Sequence, residues 1–175
     1  MTPGSDTPGE PVRPADLARY LPLSGRPRVD ESYVTGDWGP RFAELLTAID
    51  AMVAGLPAET VGHPDVGAVR DRLSAAVAAV RPGRRVRVPA LGAVLVEALD
   101  LAALTDSGLD VDPVTSGAVA LDRSLRAPLA IRSVVRNRTI HATDAGWEFG
   151  RGPELAGTAA AIVRFLYGRA GVPGS

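Results

Sequence analysis

Glu97 and Asp100 stand three residues apart in the most apolar stretch of the chain, Ala90 to Leu104, among Leu91, Val94, Leu95, Ala98, Leu99 and Leu101. On a helix that spacing puts both carboxylates on one face. Burying them requires a cation, hydrogen-bond donors or a raised pKa, so two chemistries compete. One is a divalent-metal or acid–base site in which His63 joins Glu97 and Asp100 as ligands. The other is an ion pair with an arginine from another helix. All 19 basic side chains are arginine, so guanidinium partners are abundant.

The chain has two histidines. His63 precedes Pro64 at a helix start, where a polar side chain caps the helix. His141 lies in the middle of a strand and reads as a hydrogen-bonded group facing the last helix. Asp144 and Gly146 are turn residues, and Trp147 reads as a lid over the last helix. The serines Ser107, Ser116, Ser124 and Ser133 have no histidine at a spacing that signals a nucleophile. Cysteine is absent, which removes disulfides, thiolate zinc sites and a cysteine nucleophile, so any thiol chemistry needs a borrowed thiol.

The elements that must position these groups follow from apolar periodicity and from proline. Phe42, Leu45, Leu46, Ile49, Met52, Val53 and Leu56 form one helical stripe that stops at Gly55 and Pro57. A second helix opens at His63-Pro64-Asp65 and carries Val66, Val69, Leu73, Val77 and Val80 to Pro82-Gly83. The third, Ala90 to Leu104, is apolar on most sides and belongs in the middle of a bundle. A fourth apolar stretch follows Asp112-Pro113 with Val119, Leu121, Leu125, Leu129, Ile131, Val134 and Val135. Pro128 must divide it into two helices near Arg126-Ala127. Thr139 to Thr143 and Trp147 to Phe149 then form a hairpin about Asp144-Ala145-Gly146. Gly152-Pro153-Glu154 reads as the start of a last helix with Leu155, Ala159, Ile162 and Leu166 inward.

Thr139 to Phe149, Leu155 to Ala161 and Phe165 to Arg169 together resemble the C-terminal part of the mycothiol-dependent maleylpyruvate isomerase family. There a His-Ala-Thr-Asp-x-Gly strand and turn precede a small-residue helix ending in Gly-Arg. Val96 to Ala103, with Asp112-Pro113 downstream, is similar to the family's helix that reads Glu-x-x-x-His-x-x-Asp-Leu-Ala. The resemblance implies a DinB-like helical bundle holding a divalent metal such as zinc. Its ligands are a glutamate and histidine four apart and a second histidine from an earlier helix, and mycothiol supplies the thiol for cis–trans isomerisation. This chain departs at the ligands, with Ala93 at the glutamate position and Glu97 at the histidine position. Zinc needs at least three protein ligands from Cys, His or carboxylate. A shorter likeness, from Thr105 to Pro113, is to bacterial FAD:protein FMN transferases, without the glycine-rich and acidic metal-binding segments those enzymes need.

The expected fold class is α+β, mainly α: a helical bundle followed by a short β-hairpin and a C-terminal helix. Residues 1–36 read as a flexible Pro/Gly-rich tail whose Pro14 to Leu21 can form two helical turns, 37–136 as the bundle, and 137–175 as a hairpin-plus-helix unit packed on it. The expected function is a binding or scaffold unit that has lost the metal site, with no catalytic residue and no cofactor. The alternatives are an active zinc- and mycothiol-dependent isomerase or transferase, and a small-molecule carrier. A small molecule, a protein or a second copy in a homodimer remain as partners. A net charge of -1 gives no field to attract nucleic acid. No segment approaches the roughly 20 apolar residues of a membrane span and no leader is recognisable, so the expected compartment is the cytoplasm. The arginine, alanine and glycine bias fits an actinobacterial origin.

Overall fold

The computed structural model describes residues 36–174. The tail expected at residues 1–36, with its helical turns from Pro14 to Leu21, lies outside the described residues except for Gly36. Helix α1 spans Gly39–Ala54, α2 Ala58–Val61, α3 Pro64–Ala78, α4 Val88–Leu104, α5 Pro113–Arg126 and α6 Leu129–Val135. Strands β1 (Thr139–Ala142), β2 (Glu148–Gly150) and β3 (Glu154–Gly157) follow, and α7 (Ala159–Leu166) closes the unit. The protein is mainly helical with a small sheet, an α+β fold.

Local chemistry explains the helix starts. Proline occupies the first turn of α1, α3, α4 and α5, where its missing N–H breaks no helical bond and its fixed φ suits the helix. Asp112 caps α5 by accepting from Thr115 N at 2.9 Å, and His63 caps α3 by accepting from Asp65 N at 3.3 Å. Asp37 accepts from the backbone N of Gly39 at 3.0 Å and of Val86 at 2.9 Å, tying the entry of α1 to the segment that leads into α4. Pro128 separates α5 from α6, as expected of an interior proline.

Helix α4 is the axis of the packing and touches α1, α3, α5 and α7. Leu91, Leu95 and Leu101 of α4 are fully buried together with Ile140 of β1 and Ile162 and Leu166 of α7. Each such side chain stabilises the fold by roughly 1.5–3 kcal/mol. Because they interleave, helices and sheet share one hydrophobic core.

The sheet has the order β2-β1-β3, with β2 antiparallel and β3 parallel to β1. The third strand is a correction to the sequence reading, which began the last helix at Gly152-Pro153-Glu154. Leu155 instead lies on β3, paired with Ile140, and α7 starts only at Ala159. The free edge of β1 offers Glu154 to Gly157 a full set of backbone partners, which a short Ala-rich helix start cannot match. To reach that edge the chain must cross the end of β1. It does so through Gly150 (φ +99) and Gly152 (φ +117), where a Cβ would collide with the carbonyl oxygens of Arg138 and Asn137.

Trp147, expected as a lid, is fixed on α5: its Nε1 donates to Ser116 Oγ at 3.1 Å, its ring abuts Gly117, and it stacks on Phe149 at 5.8 Å. His141 is hydrogen-bonded as expected, but its direction is a second correction. The strand buries Ile140 and Ala142 and turns His141 to the opposite face, where Nδ1 meets Glu154 Oε1 at 2.5 Å.

The crossing predicts a contrast between glycines. Gly152→Ala should cost about 3 kcal/mol, as φ strain adds to a backbone collision, whereas Gly146→Ala, at φ +65 with open space around it, should cost about 1 kcal/mol. Urea unfolding of the two variants measures the difference, and equal losses would show that the crossing does not depend on a bare backbone.

Candidate functional site

Glu97 and Asp100 lie on the side of α4 that faces α3 and α7, with side chains 10% and 12% exposed. Arg72 of α3 donates from Nε to Glu97 Oε2 at 2.9 Å, and Arg169, just beyond α7, donates from a terminal guanidinium nitrogen to Glu97 Oε1 at 2.8 Å. Arg164 of α7 donates from Nε to Asp100 Oδ1 at 2.9 Å, and Arg169 Nε stands 3.7 Å from Asp100 Oδ2. Every carboxylate oxygen of the pair therefore faces a guanidinium. The ionic partner expected from another helix is present, supplied by three arginines.

Arg169 reaches both acids because of how α7 ends. Gly168 takes φ +74, its N–H bonds to Phe165 O at 2.8 Å, and the Arg169 N–H bonds to Arg164 O at 2.8 Å. This pair of bonds is a Schellman ending, which needs a left-handed residue and so favours glycine. It folds the chain back and aims Arg169 at α4. The neighbouring Tyr167 is wedged against Gly92, where a Cβ would collide with its hydroxyl, and Arg123 stacks 4.5 Å over its ring. Burial raises the Tyr167 phenol above its ordinary 10.0, outweighing the opposing charge of Arg123.

The start of α7 is held as firmly. Thr158 accepts from Ala161 N at 3.1 Å, and Asp144 Oδ1 accepts from Ala159 N at 2.7 Å. Asp144 is thus more than a turn residue: its carboxylate docks the hairpin on the positive end of the helix.

The three metal candidates do not converge. Glu97 and Asp100 are brought together, but the side-chain partner of His63 is Asp65 in its own helix. Among the described residues no group of three or more His, Asp or Glu gathers as a ligand set. Ala93 is exposed. A cleft of about 230 Å³ lies between the hairpin turn and α4, α5 and α7, with Asp110, Ser116 and Asp144 as its polar side chains, of which Ser116 and Asp144 are already hydrogen-bonded. A larger cleft of about 670 Å³ runs between α1 and the Asp110 to Pro113 loop, where Arg41 bridges Glu44 at 2.9 Å and Asp112 at 3.5 Å. Among the described residues no helix is long and apolar enough to cross a membrane. No family model, curated protein or solved structure matches the chain.

The burial of the cluster is asymmetric. Arg72 and Arg169 are 45% and 40% exposed, so they can turn to water if Glu97 is removed, while Glu97 cannot. Arg72→Ala with Arg169→Ala should therefore cost about 3–5 kcal/mol, the penalty of an uncompensated buried charge, whereas Glu97→Leu should change stability by no more than about 1 kcal/mol. Denaturant unfolding decides, and a silent double arginine variant would show that the carboxylates need no partner.

The Tyr167 shift has a definite sign. A pKa raised in the folded state means the stabilisation is fully present below the ordinary 10.0 and is lost as pH rises through the folded value. Stability should fall above pH of about 10 in the native chain and fall less in Tyr167→Phe. Melting curves across alkaline pH measure this, and parallel curves for the two proteins would exclude it.

Proposed function

We propose that this chain is a divergent relative of the maleylpyruvate isomerases in which the helical bundle serves as a binding or scaffold unit and the metal site has been replaced by an ion cluster. The observation that carries this is the saturation of Glu97 and Asp100 by Arg72, Arg164 and Arg169. These two acids sit on the helix that resembles the family's metal-binding helix. A divalent cation there would have to displace three guanidiniums, with Ala93 offering no lone pair in return. The residues do not fit the metal, and no reaction step is assigned to one. A carrier role in the cleft beneath the hairpin turn has less support, since about 230 Å³ falls below the roughly 300–1,000 Å³ of small-molecule sites, and the groove of about 820 Å³ between α5, α6 and the sheet is an open trough.

Zinc added to the purified protein should raise its melting temperature by less than about 1 °C. A real site at a hundredfold excess over Kd would add about 2.7 kcal/mol, several degrees for a domain of this size. Metal analysis of protein prepared without chelator provides the second arm. Stoichiometric metal retained through dialysis would overturn the proposal and return His63, Glu97 and Asp100 to the ligand list.

A further inference from the structure

Of the fourth apolar stretch, which Pro128 divides into two helices as expected, only part faces inward. Val119 and Ala120 are buried, while Leu121, Leu125 and Leu129 are 48%, 71% and 76% exposed. Leu121 and Leu125 are neighbours along one face of α5, and Leu129 continues them past Pro128 onto α6. They border a groove of about 820 Å³ that ends at Ile140 and Phe149 of the sheet. Exposed leucines gathered along one groove mark an interaction surface more than scattered ones do.

The charges along it are of one sign. Arg132, Arg136 and Arg138 line the groove, and no aspartate or glutamate does. None of the three forms an ion pair with a described residue. Asp122, next to Leu121, is held by Arg126 at 3.0 Å.

We propose that this groove docks an acidic amphipathic helix of a partner protein, a step that specifies the binding role proposed above and rests on it. The occupant's apolar ridge would cover Leu121, Leu125 and Leu129, as in helix-in-groove recognition. Its flanking carboxylates would pair with Arg132, Arg136 and Arg138 through the forked geometry that guanidinium offers. A second copy of the chain is disfavoured on this face, because a two-fold contact would bring both sets of unpaired arginines into one interface. A small amphiphile is disfavoured because leucines this exposed border an open trough rather than an enclosing pocket.

The test uses two fluorescein-labelled synthetic helical peptides with the same leucine ridge, one flanked by glutamate and the other by lysine, read by anisotropy. The glutamate peptide should bind, the lysine peptide about tenfold more weakly or not at all, and the difference should shrink with salt. Leu125→Ser with Leu129→Ser should weaken binding about tenfold, and Arg132→Glu with Arg136→Glu should reverse the preference. All four side chains are exposed, so circular dichroism should show native melting in both variants. The proposal is overturned by no binding of the glutamate peptide, by equal binding of both peptides, by co-sedimentation with phosphatidylglycerol vesicles in place of peptide binding, or by a dimer that the leucine variant dissociates. Any of these leaves the ion cluster and its metal test untouched, while retained metal would sink the non-catalytic reading and leave the peptide measurement standing.

Discussion

Glu97 and Asp100 lie on the helix around which the other long helices pack, at positions too buried for a bare carboxylate. Taking such groups out of water costs several kcal/mol per ion unless their oxygens find donors. The donors come from α3 on one side and from α7 and its C-terminal turn on the other. Neutralising the pair therefore constrains where both helices can sit against α4. The apolar side chains supply most of the stabilisation, but they tolerate sliding. Four directional contacts between five charged groups do not.

That constraint propagates to the sheet. α7 can present Arg164 and Arg169 to α4 only if its start is also fixed, and the start is held by Asp144 from the hairpin turn and by Thr158. The hairpin in turn is placed by Trp147 on Ser116 and Gly117 of α5. Gly92 completes the arrangement, because only a residue without a side chain lets Tyr167 settle against α4 at the end of α7. Hairpin, last helix and bundle thus position one another, with Asp144 at one end of α7 and Gly168-Arg169 at the other.

Much of this was legible in the sequence wherever the signal was local. Pro64 and Pro113 mark helix starts by what proline does to its own backbone, and Pro128 marks the break between α5 and α6 in the same way. Strand β3 was not legible, because Gly152-Pro153-Glu154 carries the same local chemistry as a helix start and the choice is made by the free edge of β1. Trp147 was read as a lid, but its anchorage on Ser116 and Gly117 of α5 was not foreseen, since a pattern records that a face is apolar and not what it meets. Leu121, Leu125 and Leu129 illustrate the same limit: helical spacing identified them as a face, and nothing in spacing says whether that face is covered. At the candidate site, the need for a cation or donors followed from two acids in an apolar helix, and the abundance of arginine made a guanidinium one of the two candidates. Which arginines would serve did not, because they lie 25, 64 and 72 residues away from their acids in the chain.

The absence of lysine bears directly on the cluster. Arg169 meets Glu97 with one nitrogen and approaches Asp100 with another, which a planar guanidinium can do because its donors point in several fixed directions. A lysine ammonium is a compact, strongly hydrated charge, and drawing it under α4 between two carboxylates would cost more desolvation for fewer aligned donors. The same property has the opposite consequence on the outer surface. Arg132, Arg136 and Arg138 keep their forks open toward solvent, each able to take a carboxylate in bidentate fashion beside exposed leucines. Under α4 the guanidinium chemistry is closed on Glu97 and Asp100, whereas along the α5–α6 groove no ion pair with a described residue occupies it, and that is the chemistry the acidic partner proposed for this surface would fill.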